Sequence, residues 1–248
     1  MSGRCVYVFL HLPKTGGTTF TGHLHQHLPA EELLIQGPGA DREREELGID
    51  PPAAWPADRL DRVRVITGHG ADIESHQLLP DRSARHITFI RDPAPLMVSR
   101  FNFDVSRSGD KVDFGEWYLR QGRNPTFRRL RRLLGARSLE ETEAMLRQFW
   151  FVGATESLDD DLPHLFAAIG VPTEWVNRRV AGAGKDVADL HLPGAADPVP
   201  VERHAVLTDE IEARVHIDHP LDTRLHRLAF ELRAGRREAL GWNTKVPA

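Results

Sequence analysis

The sequence predicts an α/β fold, a central parallel sheet with helices on both faces. Three observations point there. Short apolar runs rich in β-branched and aromatic residues recur through the first 154 residues, helical stretches separate them, and three of the runs end in polar turns carrying Gly or Arg.

The first run, Cys5 to Leu12, is almost continuously apolar, as a strand covered on both faces must be. A Gly-rich turn from Pro13 to Thr19 follows, then a helical stretch to about Leu28. Val63 to Thr67 and His86 to Ile90 read as two further strands, ending in Gly68-His69 and Arg91-Asp92-Pro93. Phe149 to Ala154 reads as a fourth, after a helix opened by Ser138 with Glu141 three residues on, the spacing of a capping box. Asp92 followed by Pro93 suits the start of another helix. Thr208 to Arg237 reads as mostly helical with a break at His219-Pro220. The whole, 1–248, is expected to be one domain, with irregular insertions at 37–61, 105–137 and 181–200 that shape an acceptor cleft.

Composition narrows the function. A formal charge of −4 argues against general nucleic-acid binding, which relies on a cationic face, and there is no aromatic-and-basic array to stack bases. The single Cys5 excludes an intrachain disulfide framework and fits a cytoplasmic protein. No window is long and apolar enough to span a bilayer. Only four lysines stand among 28 arginines, so each lysine raises the question of why a compact ammonium was kept.

The turn from Lys14 to Thr19 has the character of a phosphate cradle. Gly16 and Gly17 let a ligand approach the backbone, Thr18 and Thr19 add hydroxyls at a helix N-terminus, and Lys14 adds a mobile charge. This P-loop-type turn is not a nucleoside-triphosphate loop, whose Lys follows the second Gly and precedes Ser or Thr.

His11-Leu12-Pro13-Lys14-Thr15-Gly16-Gly17-Thr18-Thr19-Phe20 resembles the 5′-phosphosulfate loop of sulfotransferases that use 3′-phosphoadenosine 5′-phosphosulfate (PAPS). The resemblance is nearest to the heparan sulfate 2-O- and 6-O-sulfotransferase branch and its bacterial relatives. Phe89-Ile90-Arg91-Asp92-Pro93 with Ser99 and Phe101 is similar to the family's 3′-phosphate motif, although Leu96 stands where an additional Arg is common. Phe151-Val152-Gly153 with Thr155-Glu156 resembles a third, weaker signature.

The resemblance implies that Lys14, Thr15, Gly16, Gly17, Thr18 and Thr19 hold the 5′ end of PAPS, with Arg91 and Ser99 on its 3′-phosphate. It also implies a basic loop over the nucleotide near Asn177, Arg178, Arg179 and Lys185, with Arg178 the candidate contact. In Thr67-Gly68-His69-Gly70 the resemblance makes His69 the general base, and an imidazole accepts a proton near neutrality without an extreme shift.

Two other features have structural readings beside functional ones. His23 and His27 share a helix face at zinc-ligand spacing, but no third ligand or HExxH glutamate accompanies them, and no metal is expected. Arg128 to Arg132 reads either as a guide for an anionic acceptor or as the solvated face of a helix burying Leu130, Leu133 and Leu134.

The expected activity is sulfuryl transfer from PAPS to a hydroxyl of a carbohydrate or small-molecule acceptor, with 3′-phosphoadenosine 5′-phosphate as product. His69 is the expected base and Lys14 stabilises the leaving phosphate. The alternatives are a P-loop nucleotide kinase and a catalytically silent nucleotide-binding protein.

Overall fold

A computed structural model describes residues 4–37, 55–109, 111–175 and 204–242. Five parallel strands form one sheet, β1 (Cys5–Phe9), β2 (Leu33–Ile35), β3 (Val65–Thr67), β4 (Ser83–Ile90) and β5 (Phe151–Ala154), in the order β2-β3-β1-β4-β5. Pairing is in parallel register throughout, with Tyr7 opposite Val65, Phe9 opposite Ile87 and Ile87 opposite Phe151. All four predicted strands are present. The fifth, β2, comes from the short Leu33-Leu34-Ile35 run, which sequence reading passed over.

Alternation along β1 assigns the two faces of the sheet. Val6 and Val8 enter one apolar cluster, and Tyr7 and Phe9 enter the other. The Tyr7 face is covered by α1 (Gly17–His27), through Phe20 and Leu24, and by the later helix Leu158–Ile169. Along the chain come α2 (Ala57–Leu60), α3 (Pro93–Ser108), α4 (Phe114–Leu119), α5 (Pro125–Leu134) and α6 (Leu139–Leu146). The Leu158–Ile169 helix is α7, followed by α8 (Asp209–Asp218) and α9 (Pro220–Ala239). Residues of α5, α6 and α9 cover the Val6 face, completing three layers.

Both predicted caps form. Asp92 accepts from the Ala94 amide at 2.8 Å ahead of Pro93, and Ser138 accepts from the Glu141 amide at 3.2 Å. The break at His219-Pro220 separates α8 from α9. Residues 105–137, expected to be irregular, are instead largely helical. They hold the end of α3, all of α4 and all of α5, with Val105, Trp117, Leu130, Leu133 and Leu134 buried. The helices α5 and α9 cap each other. Asp222 of α9 accepts from the Thr126 and Phe127 amides at 3.0 and 2.8 Å, while Asn124 accepts from the Leu221 amide at 3.0 Å.

Most of the predicted insertion at 37–61 and all of 181–200 lie outside the described residues. Among the described residues no helix is long and apolar enough to cross a membrane.

Candidate active site

Chain connections leave β1 toward β2 and β3 on one side and toward β4 on the other, so the strand order reverses at β1. In open parallel sheets ligands bind beyond the carboxyl ends of strands at such a switch point. The turn after β1 therefore occupies the favoured position, flanked by the ends of β3 and β4.

That turn has an unusual backbone. Lys14 has φ 67° and Gly16 φ 85°, both left-handed. For a lysine this conformation is strained, and it persists because neighbours hold it. The Arg91 guanidinium donates from Nη1 to the Lys14 carbonyl at 3.0 Å, bringing the end of β4 onto the turn. The Thr155 hydroxyl, just past β5, donates to the Thr15 carbonyl at 3.1 Å and lies 3.4 Å from that of Ile90. Thr15 is fully buried, and its hydroxyl donates to the Leu12 carbonyl at 2.9 Å, so that hydroxyl supports the turn from within.

Gly16 is the N-cap of α1 and offers no side chain to its amides, and the first turn holds no acidic residue. The positive end of the helix is thus presented at the strand ends. Thr18 is half-buried there and Thr19 is buried. Gly17 has no room for a side chain, because a Cβ would enter the His11 ring. The Lys14 ammonium rests 3.2 Å from the centroid of the Phe103 ring on α3.

His69 stands beyond β3, next to this turn. Its ring stacks on that of His11 with centroids 4.3 Å apart, and the His11 ring in turn stacks on Phe9 at 5.5 Å. Burial lowers the His69 pKa from its ordinary value, and a hydrogen bond to the His11 backbone offsets part of that effect. The His69 carbonyl accepts from Arg129 of α5, which ties the loop to that helix.

Arg91 lies half-buried at the end of β4. Burial lowers its pKa, opposed by the charges of Glu156 and Asp92. Ser99 is half-buried in the second turn of α3 and makes no hydrogen bond to Arg91 or to the turn among the described residues. Arg178, with Asn177, Arg179 and Lys185, lies outside the described residues.

Sequence reading missed a cluster beside Arg91. Asp92 meets His216 of α8, Glu156 accepts from the Asp92 amide at 3.1 Å, and His226 of α9 reaches Glu156 at 3.1 Å. Burial pushes Glu156 up, but bonds from His226 and from the Glu156 and Asp92 amides, with the His226 charge, leave its pKa below the ordinary value. Asp92 in the Arg91-Asp92-Pro93 motif and the weak Thr155-Glu156 signature pointed here. Neither histidine carries a local motif, since helices more than 120 residues downstream of Asp92 deliver them.

The remaining candidates lie outside this convergence. His23 bonds the Pro172 carbonyl at 2.7 Å and stacks on Phe166 at 3.9 Å, so its ring is part of the packing under α1. Among the described residues no group of His, Cys, Asp and Glu is arranged to hold a metal. On α5, Leu130, Leu133 and Leu134 are buried while Arg128, Arg131 and Arg132 face out. With Arg137 these arginines line an open depression of about 580 Å³ to which Lys14, His69 and Arg91 contribute nothing.

No protein-family model matches the chain, and no curated protein matches it. Among solved structures, a sulfotransferase from Alicyclobacillus acidocaldarius is similar over 97% of this chain and 99% of its own, at 15% identity and a TM-score of 0.44.

Proposed function

We propose that this protein is a PAPS-dependent sulfotransferase acting on a hydroxyl of a carbohydrate or small-molecule acceptor. The observation that carries this reading is the convergence of three candidate groups at neighbouring strand ends. The Lys14 turn follows β1, Arg91 follows β4 and bonds the Lys14 carbonyl, and His69 follows β3 and stacks on His11.

The chemistry of these groups fits the donor. An uncapped helix N-terminus and an adjacent ammonium suit the 5′-phosphosulfate, which Lys14, Gly16, Gly17, Thr18 and the Thr15 and Thr19 backbone would hold. Arg91 has guanidinium nitrogens beyond the one on Lys14 and would take the 3′-phosphate, with Ser99 and Arg178 as further proposed contacts. In the transfer the acceptor oxygen forms a bond to sulfur as the bond from sulfur to the 5′-phosphate oxygen breaks. The hydroxyl proton passes to His69, and 3′-phosphoadenosine 5′-phosphate departs. Lowered basicity keeps His69 neutral and able to accept that proton near neutral pH. Lys14 stabilises negative charge growing on the departing oxygen.

Calorimetry tests the donor assignment. The protein should bind 3′-phosphoadenosine 5′-phosphate and discriminate against ATP and ADP, whereas tight ATP binding with none of the bisphosphate would overturn it. Mass spectrometry of hydroxyl acceptors incubated with PAPS should show one added sulfuryl group, and Lys14→Ala should abolish that product.

A further inference from the structure

Arg91 feels the charges of two carboxylates and, among the described residues, pairs with neither. Asp92 is its chain neighbour, and Glu156 holds the Asp92 amide at 3.1 Å. The charges of both act on Arg91. Yet among the described residues the Arg91 guanidinium makes no ion pair, and its one hydrogen bond goes to the Lys14 carbonyl. An arginine paired with carboxylates would be a poor ligand for an anion, so what keeps them off matters to any function of this site.

Both carboxylates are occupied by histidines from the C-terminal helices. His216 Nε2 lies 3.0 and 3.1 Å from the two Asp92 oxygens. His226 faces a carboxylate with each ring nitrogen, Nε2 at 3.1 Å from Glu156 Oε2 and Nδ1 at 3.6 Å from Asp92 Oδ2. A neutral imidazole has a single N–H, so only the imidazolium offers a proton toward both. The charged or titratable groups in contact with these rings are Asp92 at the start of α3 and Glu156 after β5. On its own helix His226 meets the edge of Phe230, centroids 5.1 Å apart.

We propose that His226 and His216 are positioning residues that form a cationic clamp, drawing Asp92 and Glu156 away from Arg91 so that its guanidinium stays open to an anionic ligand. The inference rests on the anion-binding reading of the strand-end site given above. Charge sets the direction of its pH dependence. With both histidines protonated, Arg91, Asp92, Glu156, His216 and His226 carry one net positive charge, and with both neutral they carry one net negative charge. Anion affinity is therefore highest on the acidic side and falls as the histidines lose protons. Asp92 stays held by the Ala94 amide, so it is Glu156 Oε2 that loses its partner.

The test is calorimetry with 3′-phosphoadenosine 5′-phosphate from about pH 6 to about pH 9 on the wild-type protein and the His216→Gln/His226→Gln variant. The ligand's own phosphate ionisation is common to both, so the ratio of their affinities isolates the clamp. The wild type should bind about tenfold more tightly at the acidic end, with the ratio falling toward one at the alkaline end. Equal affinities at the acidic end, or a ratio that does not change with pH, would overturn the clamp.

Nitrogen-15 NMR supplies a readout that needs no ligand. The His226 ring nitrogens should respond to Glu156→Gln, and a His226 ring unmoved by that substitution overturns the proposal. If the wild type binds none of the bisphosphate at any pH, the sulfotransferase reading fails and this NMR result alone decides the clamp.

Discussion

Gly16→Ala probes whether the left-handed turn after β1 is what presents the α1 amides. Gly16 sits at φ 85° and ψ 1°, a conformation that costs an L side chain roughly 1–2 kcal/mol. A Cβ there would also overlap Leu158 Cδ1, with Leu158 Cγ 3.5 Å away, and Leu158 is only 9% exposed. Moving the tip of a packed but flexible leucine adds about 1 kcal/mol, the low end of overpacking costs. Against this, the less flexible unfolded chain of the alanine variant returns about 0.4–1 kcal/mol. The net loss is about 1–2.6 kcal/mol, read as a lower urea midpoint at unchanged m and a melting temperature lower by roughly 2–10 °C. Leu158→Ala in the same background should relieve the overlap and leave the backbone cost. A double-mutant cycle should therefore show a coupling of about 1 kcal/mol between the two sites. A Gly16→Ala protein within about 0.5 kcal/mol of wild type would refute the left-handed turn, and the outward presentation of the amides would go with it.

Two further predictions concern titration. Because burial lowers the His69 pKa, transfer should rise with pH through a midpoint below the ordinary histidine value of 6.5. His69→Ala should keep nucleotide binding while losing transfer, and an acidic limb above 6.5 would exclude His69 as the base. Asp222 is pushed up to about 6 by burial, against the bonds it accepts from the Phe127 and Thr126 amides. Its native form binds protons more readily than its unfolded form, so its contribution to stability falls as pH rises from about 4 to above 6. The stability difference between wild type and Asp222→Asn, from urea unfolding, should change by about 3 kcal/mol over that interval. A difference independent of pH would show that the native carboxyl titrates normally.

The sheet and the Lys14 turn were legible in the sequence because their signals are local. Four apolar runs bounded by turns became β1, β3, β4 and β5, and Asp92-Pro93 and Ser138 capped the helices they announced. What escaped was either too short or too distant. Leu33-Leu34-Ile35 is three residues long and gains strand identity only by pairing with Val65-Ile66-Thr67. The region from Val105 to Arg137 holds helices of 6 and 10 residues opened by Asp113 and by Asn124-Pro125, so its punctuation resembles that of loops. Its helical state depends on tertiary burial, and the Asp222 cap comes from 95 or more positions away. The same distance hid His216 and His226, whose partners at Asp92 and Glu156 meet them only in the folded chain.

What separates this turn from an ordinary strand-to-helix connection is where its carbonyls go. The Leu12 carbonyl accepts from the Thr15 hydroxyl, that of Lys14 from Arg91, and that of Thr15 from Thr155. The Gly16 carbonyl accepts from the Thr19 and Phe20 amides. Four acceptors in a five-residue stretch are thereby committed to the protein, and two of the donors stand just past the ends of β4 and β5. A peptide unit whose carbonyl is held by the protein turns its N–H the other way, so the bonds on the Lys14, Thr15 and Gly16 carbonyls orient the Thr15, Gly16 and Gly17 amides, while the Leu12 carbonyl precedes Pro13, which has no N–H to aim. They also explain how a lysine tolerates φ 67°: the strain at Lys14 is offset by bonds to the flanking carbonyls and by the seat of its ammonium on Phe103. Arg91 thus holds the turn with one nitrogen, and in the proposed reading the rest of its fork takes the anion. Any account of this site has to keep both.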